Sequence, residues 1–346
     1  MGLGTQALQS RLRSGSQVRL PGTFTLVVTA CGGSSGGGEQ SSSGPVKLQV
    51  GYSEPVADVL PLWIGIESGI FAKHGLQVSS QQITSTNNVA ALLSRQVQFA
   101  FVGGSEVMSA AAQGGDLSVV GMATPVFPYV FYSNPGVADA QGLKGQKIAT
   151  TKPGANLDIS TRVALSRLGL DPDKDVSIVP TGSVPNVTSA LVSGQMAGSV
   201  SHPPESLQLE GRGFHPLYDL AKQKIPYGAV GVTTTKSYSS SNKDATQRFV
   251  DGVLESIHKE KTDKQLSIRV LGKYLKEQDP ERLSRTYDFY ASEVVQPLPY
   301  PKPAMFADAQ RILGAKDGKV RSYKVDKLLD ISFLNDAARR GLGKSA

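Results

Sequence analysis

The sequence contains a single cysteine in 346 residues, which limits the chemistry that sulfur can supply. Cys31 has no partner for an internal disulfide, so the cysteine count does not indicate whether the protein occupies an oxidising or a reducing compartment. No apolar run reaches the roughly 18 residues that are needed to span a membrane. The four histidines (His74, His202, His215 and His258) lack the spacing of a metal site, which argues against zinc. We therefore predict neither a metal ion nor a cofactor.

The chain also lacks any block of charge of one sign. Its formal net charge is +7, from 36 Lys and Arg against 29 Asp and Glu. The basic residues are scattered rather than arranged as a stripe with aromatic residues, so we predict no nucleic-acid partner. Gly103-Gly104 lacks the spacing of a dinucleotide-binding motif, and no Walker-type phosphate loop is present. No serine, histidine and acid follow a known hydrolase pattern, and we predict no catalytic residue.

The N-terminal segment has the features of an export signal. Arg11, Arg13 and Arg19 precede a mostly apolar stretch over 20–30, and no acidic residue occurs before Cys31. A positive region, a short apolar region and small residues before the cleavage point describe a secretory signal. The four residues that end at the cysteine, VTAC, resemble a bacterial lipobox, in which the cysteine sulfur accepts a lipid.

The residues after Cys31 are rich in glycine and serine, and such a composition cannot pack a core. We predict a signal peptide over 1–30, lipidation at Cys31 and a flexible tether over 31–45. The alternative is a disordered tail that contains a chance cysteine.

Short strand patterns and helical patterns alternate along the rest of the chain. Val46–Tyr52 alternates apolar and polar residues, which predicts a strand, and Leu62, Ile66 and Ile70 then repeat at helical spacing. The same order recurs in the second half of the sequence. Such repetition favours parallel sheets covered by helices, an α/β fold. The length of the chain suits two domains, because single cores stop growing near about 250–300 residues.

Small polar residues follow the predicted strands at six places. Ligands of open α/β sheets bind beyond the carboxyl ends of the strands, where helix N-termini present free N–H groups. Any one loop is explained better by helix capping, but six loops from two halves of the chain favour a polar pocket between domains. The loops are 53–55, 84–88, 103–105, 151–158, 181–183 and 201–204. The predicted ligand-binding residues are Ser53, Glu54, Thr84, Ser85, Gly104, Ser105, Gly154, Ala155, Asn156, Asp158, Ser183 and His202.

Three of these residues have a structural explanation as well. His202 stands beside two prolines, as a hydrogen-bonded structural histidine often does. Asp158 is placed to interact with a helix dipole. Glu54 suits an amine or hydroxyl ligand if it is buried, and it is an ordinary surface residue if it is exposed.

Six segments, taken in order, carry a family resemblance. They read PLWIGIESGIFAKHGLQV, LLSRQVQFAFVGGSEVMSAA, GLKGQKIATTKPGANLDISTRVALSRLGLDPDKDVSIV, SALVSGQMAGSVSHPPE, IPYGAVGVTTTKSY and DISFLNDAARRG. Over residues 46–340 the chain resembles the solute-binding proteins of nitrate/sulfonate/taurine-type ABC transporters. One departure is SGQMAG at 193–198, where many relatives have an aspartate in an SGQVDA-like stretch.

The resemblance implies a periplasmic-binding-protein type II fold, with two Rossmann-like lobes, a ligand cleft between them and two crossover strands. It places lobe 1 at 46–126 plus 236–340 and lobe 2 at 132–230. The crossovers then fall near 125–132 and 228–235, and residues 341–346 form a tail.

Together with the export signal, the resemblance implies a lipid-anchored protein in the periplasm or on the outer face of the cytoplasmic membrane. Such a protein captures a small polar or anionic organic molecule, which is sulfonate-, nitrate- or pyrimidine-like, and delivers it to an ABC permease and ATPase complex. We expect a monomer without enzymatic activity. The net charge leans weakly towards an anion, but the six loops contain no arginine and only one basic residue, Lys152.

Two alternatives remain at this point. The first is an enzyme of the same fold, similar to pyrimidine synthases, although those are linked with a cysteine-rich motif that this sequence lacks. The second is a ligand-sensing module that docks to a receptor.

Overall fold

Ten strands form two separate five-stranded sheets in the computed structural model, which describes residues 44–343. The strands are β1 (Val46–Tyr52), β2 (Leu76–Gln82), β3 (Phe99–Val102), β4 (Ser118–Val126), β5 (Val130–Ser133), β6 (Lys147–Thr150), β7 (Ser177–Pro180), β8 (Gly198–Ser201), β9 (His215–Asp219) and β10 (Pro226–Thr234). The strand order is β2-β1-β3-β10-β4 in the first sheet and β7-β6-β8-β5-β9 in the second. Each sheet with its helices forms one lobe.

Helices connect the strands and form most of the C-terminal third. They are α1 (Leu60–Glu67), α2 (Ile70–Lys73), α3 (Ser85–Leu93), α4 (Gly104–Ala112), α5 (Asn156–Arg167), α6 (Val184–Val192), α7 (Glu205–Glu210), α8 (Lys236–Ser241), α9 (Lys243–Thr262), α10 (Lys264–Leu275), α11 (Pro280–Phe289), α12 (Ala307–Gly314), α13 (Gly318–Ser322) and α14 (Ser332–Arg339). No helix within residues 44–343 is both long enough and apolar enough to cross a membrane.

The two sheets share one pairing scheme. In the first, β1 is parallel to β2 and β3, whereas β10 is antiparallel to β3 and β4. In the second, β6 is parallel to β7 and β8, whereas β5 is antiparallel to β8 and β9. The parallel strands turn their carboxyl ends towards helix N-termini, as open α/β sheets do. The predicted α/β fold with two lobes is confirmed.

Two short connections join the lobes and lie side by side. Residues 127–129 lead from β4 to β5, and residues 220–225 lead from β9 to β10. The backbone N–H of Leu220 donates to the carbonyl of Tyr129 at 3.0 Å, and that of Phe127 donates to Ile225 at 3.4 Å. The rings of Phe127 and Tyr227 stack with centroids 3.9 Å apart. The crossover is therefore a paired ribbon rather than two loose linkers.

The second crossover differs from the prediction of 228–235, with lobe 2 ending at 230. The strand β10 (Pro226–Thr234) belongs to the first sheet, and Pro226 already pairs with Val126 of β4, so the chain has returned to lobe 1 by residue 226. The run from Tyr227 to Thr234 is buried, which suits an internal strand better than an exposed hinge. The connection itself is the six residues before it.

Aromatic side chains fill the core of the first lobe between its sheet and helix α9. Phe249 of α9 stacks on Phe71 and Phe99 at centroid distances of 5.2 and 4.0 Å. Gly252 allows this contact, because a Cβ there would lie 2.6 Å from the Phe71 ring. The packing fixes the sheet whose strand ends form one side of the site.

The predicted signal peptide and the lipidation at Cys31 lie outside the described residues. So do most of the predicted tether and the end of the predicted tail.

Candidate functional site

A cavity of about 170 Å³ lies between the lobes and is lined by both. The first lobe contributes loops that follow β1, β2 and β3, and the second contributes loops that follow β6, β7 and β8. Its polar lining consists of Ser53, Glu54, Asp58, Thr84, Glu106, Tyr129, Thr151, Lys152, Asn156, Ser183 and His202. A pocket at the carboxyl ends of strands from two lobes is the expected place for a ligand in this architecture.

Seven of the predicted residues line the cavity. They are Ser53, Glu54, Thr84, Ala155, Asn156, Ser183 and His202. The side chain of Ser85 lies outside the described part of the structure. The other four predicted residues, Gly104, Ser105, Gly154 and Asp158, do not line the cavity, and local packing explains each case.

Gly104 and Ser105 face the interior of lobe 1. A Cβ on Gly104 would lie 2.5 Å from the carbonyl oxygen of Gly228, so the glycine lets α4 approach β10. Ser105 is 1% exposed, and its hydroxyl donates to Glu106 Oε2 at 2.7 Å. The predicted contact of both residues with a ligand is therefore corrected to a packing role and a supporting role for Glu106.

Gly154 and Asp158 form a local turn at the start of α5. The Gly154 N–H donates to Asp158 Oδ2 at 2.8 Å, and Arg162 Nε donates to both oxygens of Asp158 at 3.2 and 3.3 Å. Asp158 is 2% exposed, so its carboxylate is already fully engaged. The structural explanation of Asp158 as an acid of the first helical turn is the one that the geometry supports.

Asp58 is a buried carboxylate at the cavity that the sequence analysis did not identify. It is 5% exposed and accepts hydrogen bonds from Thr124 Oγ1 at 2.7 Å and from the Tyr290 hydroxyl at 2.8 Å. Both donors are neutral. Asp58 lies in a short 3₁₀ turn four residues after Glu54, outside the loop that the pattern marked.

Glu54 and Glu106 add two more carboxylates on the same side. Burial raises the pKa of Glu54, and the charge of Lys152 across the cavity lowers it in part. Burial also raises the pKa of Glu106, whereas the hydrogen bond from Ser105 opposes that change. Glu106 follows Gly103-Gly104-Ser105 directly, and its place in the first turn of α4 was the signal that could have identified it.

Tyr129 lies on the first crossover, where the lobes meet. Burial raises the pKa of its hydroxyl well above the usual value, and the charges of Asp58, Glu106, Glu205 and Glu54 add to this effect. The phenol therefore stays neutral at ordinary pH. Nothing in the sequence pattern distinguishes this tyrosine from the ten others.

His202 and Asn156 line the cavity from lobe 2. His202 is 3% exposed, and its Nδ1 lies 3.1 Å from the carbonyl oxygen of Pro203, which can only accept a hydrogen bond. Asn156 reaches across to the first lobe, because Nδ2 donates to the carbonyl of Ala229 and Oδ1 accepts from the Tyr227 hydroxyl at 2.9 Å. Asn156 thus holds the lobes together beside the cavity.

Within residues 44–343, no group of three or more His, Cys, Asp or Glu side chains is arranged to hold a metal ion. What Asp58, Glu106, Glu205 and Glu54 share is their effect on Tyr129, since the charge of each raises the pKa of its hydroxyl.

Two α/β lobes, a paired crossover and a polar cavity between them define a protein with the periplasmic-binding-protein fold. A family model described as the NMT1-like family matches residues 41–265, which is more than half of the chain. The chain therefore belongs to the NMT1-like family, and the resemblance drawn from the sequence segments is confirmed.

Solved structures with the same fold cover the described lobes almost completely. A protein from Bordetella bronchiseptica RB50 is 20% identical with a TM-score of 0.71, covering 85% of this chain and 98% of that one. The ligand-binding component of an ABC-type import system from Staphylococcus aureus, solved with zinc bound, is 15% identical with a TM-score of 0.70 and coverages of 85% and 99%. The alkanesulfonate-binding protein SsuA from Xanthomonas axonopodis pv. citri, bound to MOPS, is 17% identical with a TM-score of 0.65 and coverages of 84% and 99%. No curated protein matches the chain in sequence.

Proposed function

We propose that this protein is an extracytoplasmic solute-binding protein, which captures a small polar organic molecule and delivers it to an ABC importer. The observation that carries the proposal is the cavity, since both lobes line it and a narrow ribbon joins them. A ligand in such a cavity gains contacts to both lobes only in the closed form. Binding therefore shifts the population towards closure by hinge bending at the ribbon.

The fold neighbours support this function, because one of them is the ligand-binding component of an ABC-type import system and another is an alkanesulfonate-binding protein. In the proposal, the permease of the importer binds the closed surface of a monomer. No covalent chemistry is involved, and the cavity residues act only as donors and acceptors.

The anchor is a separate part of the proposal. Lipidation at Cys31, after removal of the signal over 1–30, would hold the protein on the outer face of the cytoplasmic membrane or in the periplasm. Mass spectrometry of the membrane fraction should find a diacylated N-terminal cysteine. Cys31→Ala should abolish the modification and release the protein, and an unprocessed N-terminus in the unsubstituted protein would refute the anchor.

Ligand capture is tested by native mass spectrometry of the freshly purified full chain, followed by small-angle scattering. We expect a small molecule to co-purify, and its removal and return should reversibly open and close the lobes. A ligand at 100 times its dissociation constant should add about 2.7 kcal/mol to the free energy of unfolding. No co-purified molecule, together with no thermal shift from nitrate, sulfonates, pyrimidines or amines, would refute the proposed function.

A further inference from the structure

We propose that the cavity takes a small organic cation, a ligand with an amine, amidinium or guanidinium nitrogen. This inference rests on the proposed function and narrows its ligand class. It follows from the side chains that line the cavity and from the groups that they contact.

The formal charge of the side chains that line the cavity has the opposite sign to the formal charge of the chain. Three carboxylates, of Glu54, Asp58 and Glu106, line it against one ammonium, that of Lys152. The whole chain carries a formal charge of +7. All three acids come from lobe 1, and Glu205 of lobe 2 lies close enough to act on the same tyrosine. The net charge of the protein is thus a poor guide to its ligand.

Within residues 44–343, none of the three carboxylates has a cationic partner in ion-pair contact. Asp58 is held by the hydroxyls of Thr124 and Tyr290, and Glu106 accepts from the hydroxyl of Ser105. Lys152 acts on Glu54 through space, without a salt bridge. Placing carboxylates out of water without a counter-charge is costly, and a cationic ligand removes that cost on binding.

The hydroxyl of Tyr129 gives independent evidence for a ligand. The residue is 7% exposed and lines the cavity, yet its hydroxyl has no hydrogen-bond partner in the described part of the chain. Although the residue is buried, its hydroxyl oxygen is reached from the cavity, so it can form a hydrogen bond with a molecule that enters there. Its ring lies 5.2 Å from that of His202, and aromatic faces beside carboxylates suit a cation.

An inorganic oxyanion fits these observations poorly. No arginine lines the cavity, and the one lysine shares its field with Glu54. The described carboxylates are also not grouped for metal coordination. The cavity volume of about 170 Å³ compares with the roughly 150 Å³ of cavities that hold benzene, so a ligand with a single six-membered ring fits it.

The test uses three compounds of nearly the same shape and different charge: benzamidinium, benzamide and benzoate. Their binding to the full chain, freed of co-purified molecules and kept in EDTA, is measured by saturation-transfer NMR and titration. We expect the order benzamidinium, benzamide, benzoate, with at least about tenfold between the first and the last. Benzoate binding as tightly as benzamidinium, or no detectable binding of benzamidinium, would overturn the inference.

Two variants relate the preference to the cavity. Glu54→Gln should weaken benzamidinium several-fold, whereas Lys152→Gln should strengthen it. Glu281→Gln, at an exposed position in α11, is the matched control and should change nothing. A preference that survives Glu54→Gln and Lys152→Gln unchanged would contradict the proposed site.

The two proposals fail in distinguishable ways. If benzoate or nitrate binds more tightly and closes the lobes, the protein is a solute-binding protein and only the cationic ligand is wrong. If a divalent ion such as Zn²⁺, added without EDTA, stabilises the protein more than benzamidinium does, the organic nature of the cation is wrong. If no compound binds and no molecule co-purifies, the proposed function falls as well.

Discussion

The two walls of the cavity differ in the groups that they present. Lobe 1 presents the carboxylates of Glu54, Asp58 and Glu106, whereas lobe 2 presents mainly neutral groups, such as the amide of Asn156, and one ammonium. This difference in charge suggests that the two lobes contribute differently to ligand binding. Under our proposals, lobe 1 attracts and orients the ligand by charge, and lobe 2 completes the hydrogen bonds when it closes.

The walls also differ in how their residues are held. The lobe 1 side of the cavity, with Glu54, Asp58 and Glu106, is called the acidic wall below. Asp58 is held within its own lobe by Thr124 and Tyr290, so its position does not depend on contact with lobe 2. Asn156 is fixed by Tyr227 and Ala229, which belong to the opposite lobe. Asp58 is therefore already positioned in the open protein, whereas Asn156 gains its hydrogen bonds only on closure.

The largest expected effect on stability comes from Glu260, a residue of lobe 1 whose pKa is raised in part by the charge of Asp58. Glu260 of α9 is fully buried with both side-chain oxygens unpaired among the described residues. Burial raises its pKa to about 8, the charge of Lys261 opposes this, and that of Asp58 adds to it. The folded protein thus holds a proton that the unfolded chain releases above its ordinary pKa of 4.5. The free energy of unfolding should therefore fall as the pH rises from 4.5 to about 8.

Glu260→Gln removes this titration. At pH 9 the free energy of unfolding should rise by on the order of 4 kcal/mol, and near pH 4 it should hardly change. Urea unfolding across this pH range measures both. Equal effects of the substitution at the two pH values would show that Glu260 does not titrate as described.

The next effect tests whether Asp58 anchors the acidic wall. Asp58→Ala leaves the hydroxyls of Thr124 and Tyr290 without their acceptor, and should lower the free energy of unfolding by about 2–3 kcal/mol. Thr124→Val removes one donor only and should cost about half as much. Urea unfolding of the two variants decides the point. A loss below about 1 kcal/mol for Asp58→Ala would mean that the wall is not preorganised in this way.

The sequence pattern located the loops of the site better than the orientation of side chains within them. Period-two and helical spacing predicted the strand–loop–helix order, because burial of one face imposes that order on the sequence. Ser105 and Glu106 are neighbours, yet only the second lines the cavity. Which of two adjacent residues faces the cleft depends on the angle at which α4 packs on β10, and that angle is a tertiary property.

The sequence pattern also did not predict which charged and aromatic residues line the cavity. Glu54 lies in a predicted loop, but Asp58 and Tyr129 reach the cavity from a 3₁₀ turn and a crossover that no polar cluster marks. The second crossover was placed too late because the run before Thr235 has the composition of any buried strand. Sequence alone does not reveal in which of two sheets such a strand pairs.

A smaller effect tests the closing contact of lobe 2. Asn156→Ala removes the bonds to Tyr227 and Ala229, and should favour the open form by about 1–2 kcal/mol, roughly tenfold in population. Small-angle scattering should show a larger radius of gyration. Asn186→Ala is the matched control, since Asn186 bonds to Thr181 within its own lobe. If both variants scatter identically, Asn156 does not link the lobes.

The smallest expected effect on closure comes from an exposed ion pair between the lobes, called the rim pair here. Arg285 Nη2 of lobe 1 lies 2.7 Å from Glu210 Oε2 of lobe 2. Both side chains are substantially exposed, so the pair should contribute less than about 1 kcal/mol to closure, and salt should screen it. Arg285→Ala should therefore shift scattering only slightly at low salt and not at high salt. Arg339→Ala breaks an exposed ion pair within α14 and should leave closure unchanged at both salt concentrations. An effect of Arg285→Ala as large as that of Asn156→Ala would move the main closing contact from the cavity wall to the rim pair, and the division of tasks between the two walls would no longer hold.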